Sequence, residues 1–176
     1  MSLVPDLALR ELAAADLPAY KALRDHALAH HEDAFTSDAA TEAMRNAQTY
    51  AGRLGRGEGN DGGFTLGAFR GDALVGAITL ERDPRSKLRH IGHIVGTMVH
   101  DAEQRRGVGQ ALLEALTARA SADAELHQLT LSVTAGNASA ERLYARAGFV
   151  RYGTLPRAIR VGGRFLDKHH LMLSLK

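Results

Sequence analysis

The sequence predicts a mixed α/β fold in which helices flank a central sheet. Segments that alternate like strands and segments with helical periodicity follow one another along the chain, and no internal repeat is present. Their order is strand, two helices, three strands, helix, strand, helix and two strands, which is typical of a layered α/β arrangement. With 176 residues, 45% of them hydrophobic, we expect a single domain over residues 1–176.

The N-terminal part predicts one strand and two helices. Apolar and polar residues alternate in Leu7–Leu12, and Asp16 then precedes a helix that has Pro18 in its first turn. A second helix is predicted from Asp38 to about Leu54. Residues 52–63 are so rich in glycine that we expect a flexible loop there.

A hairpin and a further strand follow this loop. The apolar runs Phe64–Phe69 and Leu74–Leu80 flank Gly71-Asp72, a dipeptide that favours a tight two-residue turn. The segment His90–His100 is predicted as the next strand, so three predicted strands follow one another along the chain.

The C-terminal part alternates helix and strand. A helix is predicted to begin at Gly107, a buried strand covers Leu126–Thr134, and Asn137 is placed to cap a helix that Gly148 ends. Two last strands are predicted, at Phe149–Leu155 and Arg164–Leu175.

Composition excludes several classes of function. A net charge of +2 and 5% aromatic residues argue against nucleic-acid binding, which needs a broad basic surface and stacking platforms. The absence of cysteine excludes disulfides, thiolate chemistry and cysteine-ligated zinc, and it suits the reducing cytoplasm, where we expect the protein. No apolar run approaches the roughly 20 residues that span a bilayer, and no signal peptide is recognisable.

The segment Gln104-Arg105-Arg106-Gly107-Val108-Gly109 directly follows a predicted strand and opens a helix. Backbone N–H groups and the helix dipole make such a helix start an anion site, and glycines let a ligand approach the backbone. The segment lacks the Gly-Lys-Ser/Thr ending of a P-loop, and it also lacks the third glycine and the later acidic residue of a dinucleotide fingerprint. By itself, the glycine pair is better explained by a tight strand-to-helix turn.

A second block lies some 30 residues downstream, Asn137-x-x-Ala140-x-x-Leu143-Tyr144-x-x-x-Gly148-Phe149. With the first block it resembles the GNAT superfamily of N-acetyltransferases, and the resemblance extends from about Phe64 to Leu175. It implies a mostly antiparallel sheet that is splayed between its fourth and fifth strands. It also implies acetyl-CoA as co-substrate.

The resemblance implies roles for individual residues. Met98 and Val99 would pair with the pantetheine arm, Asn137 would contact the cofactor or hold the splayed strand, and Tyr144 would protonate the departing CoA thiolate. The pyrophosphate would lie on the predicted cradle, which consists of Gln104, Arg105, Arg106, Gly107, Val108, Gly109, Gln110 and Ala111. Without the resemblance, Tyr144 fits a core tyrosine and Asn137 fits a plain helix cap.

The chemistry implied is direct attack of a neutral amine on the thioester in a ternary complex, with no covalent enzyme intermediate. A backbone N–H near Met98 or Val99 would stabilise the oxyanion. Many family members carry a basic carboxylate on the strand before the cradle, but His90–His100 contains none. His93 and Glu81, acting through water, are the candidates for the base.

Four further expectations complete the sequence-based interpretation. The acceptor is an amine of a small molecule or peptide, and the oligomeric state stays open, a homodimer included. A non-catalytic acyl-CoA sensor of the same fold is the alternative function, favoured by the missing carboxylate. Nine histidines include His26, His30 and His31 on one predicted helix, but no carboxylate stands at ligand spacing in the sequence, so no metal site is predicted.

Overall fold

A computed structural model of the protein describes residues 4–54 and 62–176. The strands are β1 Ala8–Glu11, β2 Phe64–Arg70, β3 Ala73–Arg82, β4 Ile91–Val99, β5 Gln128–Thr134, β6 Val150–Val161 and β7 Arg164–Ser174. The helices are α1 Leu17–His30, α2 Ala39–Ala43, α3 Val108–Ala122 and α4 Ala138–Arg146. This order confirms the predicted mixed α/β class. None of the helices in the described ranges is long and apolar enough to cross a membrane.

All seven strands form one sheet in the order β1-β2-β3-β4-β5-β7-β6. Neighbouring strands are antiparallel except β4 and β5, which pair in parallel. Their pairing joins only Ile91–His93 to Gln128–Thr130, so the two strands part beyond His93. The predicted splay between the fourth and fifth strands is therefore confirmed, and it opens a cleft in the middle of the sheet.

Helices cover both faces of the sheet. On one face, α3 buries a stripe that includes Leu112, Leu113 and Leu116 against the inward side chains of the strands. The stripe follows helical periodicity because residues three and four apart share a face. On the other face, α1 packs Tyr20 and Leu23 against a second cluster that includes residues of β2, β3 and β4.

Local sequence signals fix the ends of the elements next to the cleft. Gly107 precedes α3 with a φ of 82°, in the left-handed region that glycine adopts at little cost. Asn137 caps α4, because its side-chain oxygen accepts a hydrogen bond from the N–H of Ala140 at 3.2 Å. The hairpin turn is also as predicted, with Arg70 and Ala73 paired across two residues.

Three local predictions need correction. The second helix does not reach Leu54: α2 ends at Ala43, and a 3₁₀ helix follows over Ala47–Arg53. The side chain of Asn46 accepts the N–H of Gln48 and so starts this new helix. Asp16 does not cap α1, because its carboxylate binds Arg10 and the N–H of Ala13 instead. Strand β6 extends beyond the predicted end, to Val161; most of the predicted loop 52–63 lies outside the described residues.

Candidate active site

The cleft between the parted strands has a volume of about 810 Å³. Its walls come from the last six residues of β4, from Ser132 and Val133 of β5, and from the facing parts of α1, α3 and α4. A cavity of this size, with mixed polar and apolar walls, is suited to a small-molecule ligand. Most of the residues that the sequence singled out lie around it.

The turn before α3 forms one end of the cleft. Arg105 and Gly107 both have positive φ, 61° and 82°, and residues 104–107 are exposed. Alternation with left-handed residues turns successive N–H groups toward one side, as in the anion-binding backbone nests. The N–H of Ala111 already bonds to Gly107 at 2.9 Å, so the free amides of the helix start lie before Ala111. That amide of the predicted cradle is therefore not available to a ligand.

The two arginines of the turn point to different surfaces. Arg105 lines the cleft, whereas Arg106 forms an ion pair with Glu103 at 3.3 Å and lines a neighbouring depression together with Ala111. Two arginines that the sequence analysis missed, Arg142 and Arg146 on α4, also line the cleft. They stand four residues apart, on the same side of the helix as the cleft, and that spacing was readable in the sequence.

Strand β4 presents a free edge along the cleft. The N–H of His100 donates to Val75 of β3 at 2.8 Å. Because the N–H groups of successive strand residues point in opposite directions, that of Val99 faces the parted side. Met98 points its N–H toward β3, where it pairs with Ala77, and its side chain is buried. Of the two predicted pairing positions, Val99 is thus the one whose backbone faces the cleft.

A bulge in β4 brings a further side chain to the cleft. The register against β3 shifts between the pairs Thr79 to Val95 and Ala77 to Met98, so Gly96 and Thr97 lie opposite one residue. Gly96 has a φ of 59°, which accommodates the bulge. Both bulge residues line the cleft.

Tyr144 lies on α4 with 6% of its surface exposed and packs edge to face on Phe149. Burial raises the pKa of its hydroxyl, and a hydrogen bond with the side chain of Thr97 opposes that rise in part. The phenol is therefore protonated at neutral pH. Asn137 also lines the cleft, although its side-chain oxygen is engaged as the helix cap.

The opposite end of the cleft is rich in cations that the sequence analysis did not identify. Arg24 of α1, Arg53 of the 3₁₀ helix and Lys168 of β7 line it together with Phe35 and its neighbours. Lys168 is half-buried and its Nζ lies 2.5 Å from the hydroxyl of Thr36. Among the described residues no carboxylate lies within 4.0 Å of this ammonium group, and burial lowers the pKa of Lys168.

Arg24 is held by a buried network. Its Nε donates to Glu42 at 3.1 Å, and its guanidinium also donates to the hydroxyl of Ser37 at 2.9 Å. Tyr50 donates to the same oxygen of Glu42 at 2.5 Å. These three partners come from three separate segments, so only the folded chain reveals the network.

The two predicted bases lie outside the residues that line the cleft. Glu81 and His93 are direct cross-strand neighbours on β3 and β4. Glu81 binds Arg53, whose Nε lies 3.0 Å from its Oε1. His93 is exposed and its Nδ1 lies 2.6 Å from the hydroxyl of Thr130.

Residues 21–149 match the model of the family described as the acetyltransferase (GNAT) family. Over 77 residues the chain is 36% identical to L-methionine sulfoximine/L-methionine sulfone acetyltransferases of Pseudomonas paraeruginosa and Pseudomonas aeruginosa. This alignment covers 44% of this chain and 44% of each relative, less than half their length.

Solved structures resemble the whole chain. An acetyltransferase of the GNAT family from Streptococcus pneumoniae has a TM-score of 0.82 at 25% identity, covering 97% of this chain and 99% of that one. A putative acetyltransferase from Salmonella typhimurium, solved with its cofactor acetyl-CoA, has a TM-score of 0.78 at 22% identity, covering 97% and 94%. The latter likeness concerns the fold alone.

Proposed function

Because the chain belongs to the acetyltransferase (GNAT) family, we propose that it transfers the acetyl group of acetyl-CoA to an amine of a small molecule or peptide. The observation that carries the proposal is the cleft between β4 and β5, which has an exposed helix start at one end and a buried tyrosine in its wall. The amine attacks the thioester directly while both substrates are bound. The protein acts as one domain.

The cofactor lies with its diphosphate on the amides of residues 105–110, since the N–H of Gln104 already donates to Asp101. The positive end of the α3 dipole and the side chains of Arg105, Arg142 and Arg146 compensate its phosphate charges. The pantetheine arm then runs along the free edge of β4, where an extended ligand can use backbone groups that β5 leaves unpaired.

In the reaction, the nitrogen lone pair of the amine forms a bond to the thioester carbonyl carbon, whose oxygen becomes negatively charged. The N–H of Val99 faces this side of β4 and stabilises the oxyanion. When the C–S bond breaks, Tyr144 gives its proton to the thiolate. For unperturbed groups that transfer is uphill by about 1.5 pKa units, or roughly 2 kcal/mol, and the burial of Tyr144 adds to it. We therefore place it late, together with transfer of the amine proton through water to the base, and Tyr144 regains its proton from solvent before the next turnover.

The acceptor carries a negatively charged group near its amine. Lys168 is a half-buried cation in the cleft, and none of the carboxylates in the described ranges lies within ion-pair distance of it. A ligand carboxylate would supply the missing counter-charge. Glu103 and Glu114 also line the cleft, but Glu103 is bound to Arg70 at 2.8 Å and Glu114 accepts from Gln110 at 2.8 Å. The partly matching relatives are named for derivatives of methionine, an amino acid.

The experiment is a panel of amines offered to purified protein with acetyl-CoA, followed by thiol release and by mass spectrometry of the product. Each amino acid is paired with its amide and with its decarboxylated amine. We expect turnover of the carboxylate-bearing members. Saturable CoA binding without turnover of any amine would support the sensor function instead, and absence of CoA binding would reject both.

A further inference from the structure

Four histidines and one aspartate meet beside the cleft, outside the proposed catalytic groups. His26 and His30 lie one turn apart on α1, and Asp101 lies in the 3₁₀ turn that precedes the cradle, 75 residues from His26. In the sequence, no carboxylate stands at ligand spacing from these histidines. The fold brings Asp101 to them because β4 runs alongside α1 and ends at this turn.

The ligand atoms of His26, His30 and Asp101 all lie within 4.8 Å of one another. His26 Nε2 is 3.1 Å from one carboxylate oxygen of Asp101, and His31 Nε2 is 2.5 Å from the other. A tetrahedral zinc ion with bonds of about 2.0–2.1 Å separates its ligand atoms by roughly 3.3 Å. The ligand atoms would have to approach one another by up to about 1.5 Å, and the two exposed side chains, His30 and Asp101, can do so by rotation.

Neighbouring groups already orient the histidine rings. The ring of His26 is stacked between those of His30 and His100, with centroid distances of 4.2 Å on both sides. His30 Nδ1 lies 2.8 Å from the carbonyl oxygen of His26, which selects the tautomer with Nε2 available as a ligand. The amide of Gln104 donates to Asp101 at 2.7 Å. His30 and Asp101 therefore each have a hydrogen-bonding outer partner, whereas the ring of His26 is held by stacking.

We propose that His26, His30 and Asp101 form a binding site for Zn²⁺, with His31 or water as the fourth ligand. Two imidazoles and one carboxylate match the preferences of this ion. Histidines spaced i and i+4 on a helix present their rings to one ion. The ion would connect α1 to the turn that leads into the cradle, since Asp101 also binds Gln104.

The test is calorimetric titration of full-length, untagged, chelator-treated protein with ZnCl₂. We expect one saturable equivalent, and we expect His30→Gln and Asp101→Asn each to weaken binding at least about tenfold. Both residues are partly exposed, and Asn keeps an acceptor for Gln104, so folding should be retained and circular dichroism verifies it. Binding of Co²⁺ provides a second readout, the visible absorption of a tetrahedral site.

The matched control is His127→Gln, because His127 is an exposed histidine away from this cluster. Its affinity for Zn²⁺ should equal that of the parent protein. Absence of a saturable equivalent in the parent would overturn the proposal. So would an equal loss of affinity in His30→Gln and His127→Gln, since binding would then be spread over surface histidines.

Discussion

Arg53 donates a hydrogen bond from Nε to Oε1 of Glu81 at 3.0 Å, and only the arginine of this pair lines the cleft. A carboxylate that holds a guanidinium fixes the position of that guanidinium. Glu81 is therefore better placed to orient Arg53 toward the acceptor than to take a proton from the acceptor amine. We keep His93 as the proposed base; it also lies outside the residues that line the cleft, so it would act through water.

The first prediction separates the two residues. Glu81→Gln should raise the KM of the acceptor several-fold, with the pH profile of kcat/KM unchanged, because Arg53 keeps a hydrogen-bond acceptor but loses its charged partner. His93→Gln should instead remove the acid-side limb of that profile, because a base must be unprotonated to act. Steady-state kinetics between pH 5 and 9 is the measurement. If the acid-side limb of the kcat/KM profile changed in Glu81→Gln but not in His93→Gln, Glu81 would be the base instead of His93.

Tyr144→Phe tests the proton donor. Loss of the hydroxyl should lower kcat by about 10²–10⁴-fold, the range for a positioned general acid. The affinity for CoA should stay within about threefold, because the ring still packs on Phe149. Thiol release measures kcat, and calorimetry measures CoA binding. A parallel loss of CoA affinity would mean that Tyr144 is a structural part of the cofactor site.

Gly107→Ala tests the cradle against a matched glycine. The φ of Gly107 is 82° and that of Gly163, in the β6–β7 turn away from the cleft, is 81°. Alanine at either position is strained by about 1–2 kcal/mol. A methyl group at residue 107 would also lie 3.0 Å from the side chain of Val4, so Gly107→Ala should lose at least as much stability as Gly163→Ala in chemical denaturation. Only Gly107→Ala should also weaken CoA binding, as calorimetry would measure. Equal CoA affinity in both variants would show that residue 107 is not part of the CoA-binding cradle.

Local chemistry made part of this site predictable. The turn at Gly107 and the cap at Asn137 each depend on residues within one turn of their own helix, and both were identified from the sequence. The role of Tyr144 came instead from the family resemblance and stays a proposal. The parted strands followed from the family resemblance, since no periodicity encodes where pairing stops.

The cationic end of the cleft, where we place the acceptor, was not predictable because its residues are far apart in the sequence. Arg24, Arg53 and Lys168 come from segments more than 100 residues apart at the extremes, and each looks like a surface cation in its own segment. The interrupted second helix likewise depends on Asn46, whose side chain competes with the helix for a backbone N–H. Such outcomes are decided by packing and by competing hydrogen bonds, which a local pattern does not contain.

Lys168→Met tests the anionic group of the acceptor. Met has a similar length without the charge, so the KM for carboxylate-bearing amines should rise by about tenfold or more, the equivalent of one lost charged hydrogen bond. The KM for the matching amides should change little. Lys168→Arg should restore part of the preference because it keeps the charge. If acids and amides respond alike to Lys168→Met, the lysine supports the cleft but does not select the acceptor.

Glu42→Gln tests how the cleft holds Arg24. Each side chain is only 7% exposed, so removing the charge of Glu42 leaves a buried guanidinium without its counter-ion. Losses of about 3–5 kcal/mol are usual when one partner of a buried pair is removed, and urea denaturation at pH 7 would measure the loss. Glu32→Gln, at an exposed carboxylate, is the control and should change stability by less than about 0.5 kcal/mol.

Glu42→Gln also tests how the free energy of unfolding depends on pH. Burial raises the pKa of Glu42, but hydrogen bonds from Tyr50 and Arg24 outweigh it and hold the pKa below its usual range. A carboxylate with a lowered folded-state pKa contributes stability above the unfolded value of about 4.3, and that contribution is lost as the pH falls through the folded value. The free energy of unfolding of the parent should therefore fall more steeply than that of Glu42→Gln below pH 4.3. Parallel curves for the two proteins would show that Glu42 is not held ionised by Arg24 and Tyr50.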